Sequence, residues 1–270
     1  MLKADPATRI EASVMKAHRA VAATVAILAA VPLIGCTAPA EEALPTGGDP
    51  VDLDPADFTT VIDNPYWPME PGTRWTYRES DPEGDLTVFV TVTSTTRTMA
   101  NGIEARVVRD SVFRGDVLVE DTFDWYAQDA DGAIWYLGED TAEFEDGAVA
   151  SREGSFEAGL DGALPGIALP GDPAPGMAYR QEYKKGEAED EGAVLGIDEL
   201  VEVPYGAYRR ALLTRDTTPL EPDVEELKFY ARGVGPVLTV TTSGGSGREE
   251  LVDITTVPDG TSTGPLGSPD

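Results

Sequence analysis

The sequence predicts an all-β fold: one large antiparallel curved sheet, a partial barrel or sandwich, with a long Gly/Pro-rich loop. Three observations carry this. Apolar residues recur with period two, turn residues separate the runs, and no segment shows a long amphipathic helix. In "LTVFVTVTSTT", Leu86, Val88, Val90 and Val92 share one face while Thr87, Thr91 and Thr93 share the other.

The strand signals run in order along the chain. They are "GTRWTYRE" from Gly72, the Leu86 run, "IEARVVRDSV" from Ile103, "VLVEDTFDWYAQ" from Val117 and "AIWYLGE" from Ala133. "MAYRQEYKK" from Met177, "ELVEVPYGAYRRALLTRD" from Glu199, "EELKFYARG" from Glu225, "PVLTVTTSG" from Pro236 and "REELVDI" from Arg248 follow. Valine, threonine and aromatics fill them, as a pleated, half-buried surface favours. Asn101-Gly102, Gly115-Asp116, Asp146-Gly147 and Gly244 to Gly247 supply turns. The best helix candidate is "EAEDEGAVLGIDEL", Glu187 to Leu200, and Gly192 and Gly196 interrupt it. Glu153 to Gly176 is rich in glycine and proline around Leu160, Leu164, Ile167 and Leu169. It is long for a connection and reads either as a lid or as an ordered crossover.

The ends of the chain concern location. From Met15, Lys16 and Arg19 precede an apolar run, Val21 to Leu33, which leads into Leu33-Ile34-Gly35-Cys36. This is a secretory signal over residues 1–35, too short to remain as a membrane span. Asp5 and Glu11 suit an n-region poorly, which places the true start at Met15. Leu33 to Cys36 resembles a bacterial lipobox, and the resemblance implies that Cys36 is lipidated and becomes the first mature residue. Residues 36–56 then read as the lipidated cysteine and a flexible tether. Residues 57–257 read as a single β-rich domain, and residues 258–270 as a disordered tail.

Composition removes much chemistry. The chain has 20 Lys plus Arg against 49 Asp plus Glu. Residues 1–35 hold four of those cations and two of the acids, so the mature chain keeps 16 and 47. The single histidine, His18, lies in the signal, and Cys36 is the sole cysteine. Catalytic triads built on imidazole, His/Cys metal sites and disulfides are therefore excluded from the mature protein. So acidic a chain is no partner for nucleic acid. Carboxylate chemistry and hard-cation binding remain.

Two groups of acids stand out. "WYAQDADGAIWYLGED", Trp125 to Asp140, reads as a hairpin with Asp129 to Gly132 as its turn and with aromatics pairing across its strands. Its alternative reading is a calcium site with Asp129, Asp131, Glu139 and Asp140 as ligands. Asp121 interrupts the apolar row Val117, Val119, Phe123, Trp125. An inward carboxylate there is either paired with Arg106 or Arg109, or a catalytic candidate.

"NPYWPMEPGTRWTYRE" from Asn64, "VEVPYGAYRRALLTRDTTPLEP" from Val201 and "KFYARGVGPVLTV" from Lys228 together resemble uncharacterised secreted and lipid-anchored bacterial β-proteins. Their strand-turn phrasing is also similar to Lol-type lipoprotein carriers. That resemblance implies a half-open barrel with a lipid-holding concavity. The expectation is a non-enzymatic, extracytoplasmic domain, lipid-anchored through Cys36 to a bacterial membrane. It would bind a lipophilic small molecule or an envelope protein. The alternatives are a calcium-stabilised adhesion module and a carboxylate-dependent hydrolase of envelope glycans acting through Asp121.

Overall fold

The computed structural model describes residues 43–81 and 84–269. The signal, Cys36 and the first part of the expected tether lie outside the described residues. A one-turn 3₁₀ helix, Pro55–Asp57, is capped by the Asp54 side chain. Sixteen strands follow. The first eight are β1 Phe58–Thr59, β2 Thr73–Asp81, β3 Gly84–Thr98, β4 Glu104–Arg114, β5 Val117–Asp129, β6 Ile134–Glu145, β7 Ala148–Ser151 and β8 Phe156–Glu157. The rest are β9 Leu164–Leu169, β10 Ala178–Arg180, β11 Glu182–Tyr183, β12 Glu191–Val203, β13 Gly206–Thr217, β14 Glu225–Ala231, β15 Gly235–Ser243 and β16 Arg248–Thr256.

Thirteen of them form one antiparallel path, β10-β12-β13-β14-β15-β16-β2-β3-β4-β5-β6-β9-β11, nearly closed into a barrel. The first strand of the path lies against its penultimate one, since the Nε of Arg180 in β10 donates to the Pro165 carbonyl of β9 at 2.9 Å. Near-closure removes most of the unpaired edge that an open sheet would expose.

Short hairpin loops fix the register. At Asp129 to Ala133 the chain turns on Gly132, whose φ of 84° favours glycine. Asp129 accepts from the amides of Asp131 and Ala133 and from the Trp135 indole. Tyr126 lies opposite Tyr136, and their rings stack with centroids 5.0 Å apart.

Three expectations are corrected. Glu187 to Leu200 is not helical: β12 occupies most of it, with Gly192, Val194 and Gly196 buried in alternation. Gly192 lies beneath the Tyr179 ring, where a Cβ would come within 2.6 Å, so this glycine serves a close approach rather than breaking a helix. The tether does not extend to residue 56. Leu44, Val51 and Leu53 pack on the core, and the Pro45 and Gly47 carbonyls accept from Arg180 at 2.8 Å. The tail is placed as well. Gly264 and Pro265 accept from Arg109, the Gly267 amide donates to Asp121, and Arg74 donates to Ser262. Backbone groups bonded to buried charged side chains hold both ends, which a purely compositional reading of Gly, Pro and Ser cannot show.

Glu153 to Gly176 is an ordered crossover. Its β8 and β9 both pair with β6, on either side of Gly138. A side chain at Gly138 would put its Cβ 2.3 Å from the Phe156 carbonyl, so only glycine lets the crossover lie so close.

Candidate functional site

Register decides which side chains face the barrel interior. Across β2 to β6 one continuous row contains Trp75, Val90, Asp110, Thr122 and Thr141, with Asp124 opposite Glu139 in the next rung. In the other direction Glu79 lies opposite Glu249, then Thr239, Lys228 and Thr214. These rows point inward. Trp67, in the segment between β1 and β2, touches Tyr126 of β5 at 5.4 Å and Tyr230 of β14 at 5.8 Å. One ring can reach both walls only from inside. The segment is fixed by Asn64, which donates to the Gly132 and Pro170 carbonyls, and by the Gly233 amide, which donates to Pro65.

The interior holds a cavity of about 310 Å³. Trp67, Tyr126, Tyr136 and Tyr230 form its aromatic side, and Glu139, Glu182, Asp190 and Lys228 its charged side. Asp124 lies just behind, since the Tyr136 hydroxyl sits 2.7 Å from Asp124 Oδ1 and 2.8 Å from Glu139 Oε2. A phenol has one proton to donate. With both contacts made, one carboxyl is protonated and donates to the phenol oxygen.

The electrostatics agree with that geometry. Burial pushes Asp124 up to about 7, against the pull of the Tyr136 bond. Glu139 rises to about 8 through burial and then the Asp124 charge. Glu182 rises to about 9 through burial, then Asp190 and Glu139, while Lys228 draws it back. Asp190 is also raised, chiefly by burial. Deeper in the barrel Glu249 rises to about 7, and Asp110 and Glu120 are raised, each through burial first and neighbouring carboxylates second. Lys228 is held charged, its Nζ 2.9 Å from Asp216 Oδ2. Among the described residues two buried side-chain oxygens are left without partners. Tyr179, only 1% exposed, has an unbonded hydroxyl in the field of Tyr230, Asp216 and Lys228, and Asp110 Oδ1 is likewise unbonded.

The residues singled out from sequence lie elsewhere, with one exception. Asp121 is fully buried on the opposite face of β5. Its Oδ1 accepts from Arg109 Nε at 2.9 Å and from Ser111 at 2.8 Å, and its Oδ2 from Arg109 Nη2 and the Gly267 amide. Of the two arginines considered, Arg109 is the partner. Arg106 donates instead to the Thr60, Thr93 and Thr95 carbonyls. Asp121 is a structural clasp, with every oxygen engaged and no contact with the cavity. Asp129, Asp131, Glu139 and Asp140 are not brought together as a metal site. Asp129 is spent on its turn, Asp131 is exposed, and Asp140 pairs with Arg152 on the far face. Among the described residues no group of three or more potential ligands converges on a metal position. Glu139 alone belongs to the interior.

The apolar concavity expected for a lipophilic ligand is not what the sheet encloses, since the cavity is walled by carboxyls, phenols and an ammonium. Asp124, Tyr136, Glu182, Asp190 and Lys228 were missed by sequence reasoning. The available signal was the alternating row Glu120, Thr122, Asp124, Tyr126, which reads as a solvated face.

No protein-family model matches the chain, and no curated protein matches it. Among solved structures it is similar to a Bacteroides fragilis protein described as exported, with a YmcC-like fold. Identity is 14%, covering 71% of this chain and 99% of that one, with a TM-score of 0.42. It is similar to a protein described as a lipoprotein from Parabacteroides distasonis (13% identity, 70% and 98% coverage, TM-score 0.39). A third is a β-barrel-like protein of a domain of unknown function from Brucella abortus (13% identity, 69% and 98% coverage, TM-score 0.34). Likenesses this distant assign neither ligand nor activity.

Proposed function

We propose that the chain is an extracytoplasmic lipoprotein, anchored through Cys36, whose barrel takes a small polar ligand into its interior. The observation that carries the reading is the cavity of about 310 Å³ walled by four aromatic rings and several carboxyls. Soluble folds rarely bury such groups without a use, because each costs free energy unless it is paired. A site of this size, with convergent polar groups and perturbed acids, is the usual signature of a binding site.

The anchor half rests on the basic stretch, the apolar run and the lipobox-like Leu33 to Cys36. Leu44 is already packed on the core of the barrel. Fractionation and intact mass test this half. Cys36→Ser is expected to lose the lipid mass and the membrane association, and retention of both would refute anchoring at Cys36. Native mass spectrometry of the protein from its host envelope tests the other half. A stoichiometric small polar adduct, lost in Trp67→Ala, is expected. A bare polypeptide mass, together with failure of every polar probe in titration, would overturn it.

A further inference from the structure

We infer that the cavity's ligand is a small organic cation, its ammonium group seated against Trp67, Tyr126 and Tyr230 and neutralised by Glu139, Glu182 and Asp190. The inference rests on the reading of the interior as a ligand site and names the chemistry of that ligand.

Three observations select a cation. The first is charge: Glu139, Glu182 and Asp190 line the cavity, and Lys228 is the single basic residue lining it. Lys228 is paired with Asp216 and only partly offsets Glu182 and Asp190. The second is the run of rings Tyr230, Trp67, Tyr126 and Tyr136, with successive centroids 5.0 to 5.8 Å apart. Aromatic faces attract ammonium groups, and more strongly where water is excluded. The third is the doubly bonded Tyr136 hydroxyl, which requires a proton on Asp124 or Glu139. A cation supplies the positive charge that this proton now provides. A metal ion fits less well, because the carboxyls are spread around the wall rather than gathered on one point.

Other charged groups face the same interior from every wall. Asp110 on β4 and Glu120 on β5 lie on one side. Glu226 on β14 and Glu79 and Glu249, opposite each other on β2 and β16, lie on the other. All are acids, and burial raises Asp110, Glu120 and Glu249 in the same direction as the cavity acids. Ionising any of them strengthens cation binding. Affinity therefore rises with pH across the range from about 7 to about 9 set by Asp124, Glu139 and Glu182.

Isothermal titration of the mature protein with choline, putrescine, glucose and calcium tests this. Each titration is run at pH 6, 7.5 and 9 and in two buffers of different ionisation enthalpy. Choline or putrescine is expected to bind with net proton release at pH 7.5 and at least tenfold tighter at pH 9 than at pH 6. Glu139→Gln and Glu182→Gln are expected to weaken binding and cut the proton release while keeping the wild-type circular dichroism spectrum. Should those variants not fold, Trp67→Ala must lower the affinity without changing the proton count. Glucose binding without proton release would overturn the cation and leave the interior site standing. Calcium binding in place of either amine would overturn it in favour of a metal. Failure of all four, with a bare native mass, would remove the site itself.

Discussion

Asp121 and Asp124 stand three residues apart on β5, both enclosed, and they do opposite things. Asp121 faces out of the barrel, under the C-terminal segment, where Arg109, Ser111 and the Gly267 amide saturate its oxygens. Asp124 faces in, where its side-chain partner is a phenol shared with another carboxyl. The first is a charge matched by the fold. The second is a charge the fold leaves to be matched by something else. On a strand whose side chains alternate, an odd spacing is enough to separate the two roles.

The largest expected effect comes from breaking the matched acid. Asp121→Ala leaves the fully buried Arg109 guanidinium without its counter-charge and frees the segment at Gly267. Removing one partner of a buried ion pair costs about 3–5 kcal/mol. Urea denaturation is expected to show that loss with an unchanged slope, and faster proteolysis of the segment around Gly264 to Gly267 should accompany it. A loss below about 1 kcal/mol would mean that Asp121 is not the clasp the geometry describes.

This contrast also shows what could be read from the chain. Alternation along Val117 to Gln128 identifies a strand and its two faces correctly, and the hairpin at Asp129 to Gly132 follows from its turn residues. Which face is inside does not follow. The apolar row with Trp125 looks like a core, yet Asp121 in that row lies against the C-terminal segment. The polar row with Asp124 looks solvated, yet it lines the cavity. Only closure of the sheet, which brings Tyr230 of β14 within reach of Trp67 beside Tyr126, turns the polar row inward. That is a contact between residues far apart in sequence, and no local period encodes it. Glu182, Asp190 and Lys228 were invisible for the same reason.

A smaller effect, of opposite sign, is expected from the unmatched acid. Asp124→Asn removes one of two carboxyls that share the Tyr136 hydroxyl and keeps a group able to bond it. The empty protein should gain about 1 kcal/mol of stability at pH 9, where the wild-type pair repels most strongly. Differential scanning calorimetry at pH 9 checks the sign, and a lowered melting temperature would show that Asp124 is matched after all.

The smallest and broadest effect is the pH dependence of the whole fold. Asp124, Glu139, Glu182 and Glu249 have folded values of about 7, 8, 9 and 7. In the unfolded chain they return to the usual carboxyl range near 4. Between these limits the folded state binds more protons than the unfolded state, so stability falls as pH rises. Their contribution is fully present below about pH 4, is lost progressively as pH rises from there, and is gone once pH passes the folded values of about 7 to 9. Melting temperature is therefore expected to decline by several degrees between pH 6 and pH 9. Adding choline at pH 9 should restore much of the lost melting temperature, since it supplies the charge the departing protons take away. The same addition to the Asp124→Asn, Glu139→Gln double variant should restore much less. Equal recovery in both proteins would place the choline elsewhere on so acidic a surface.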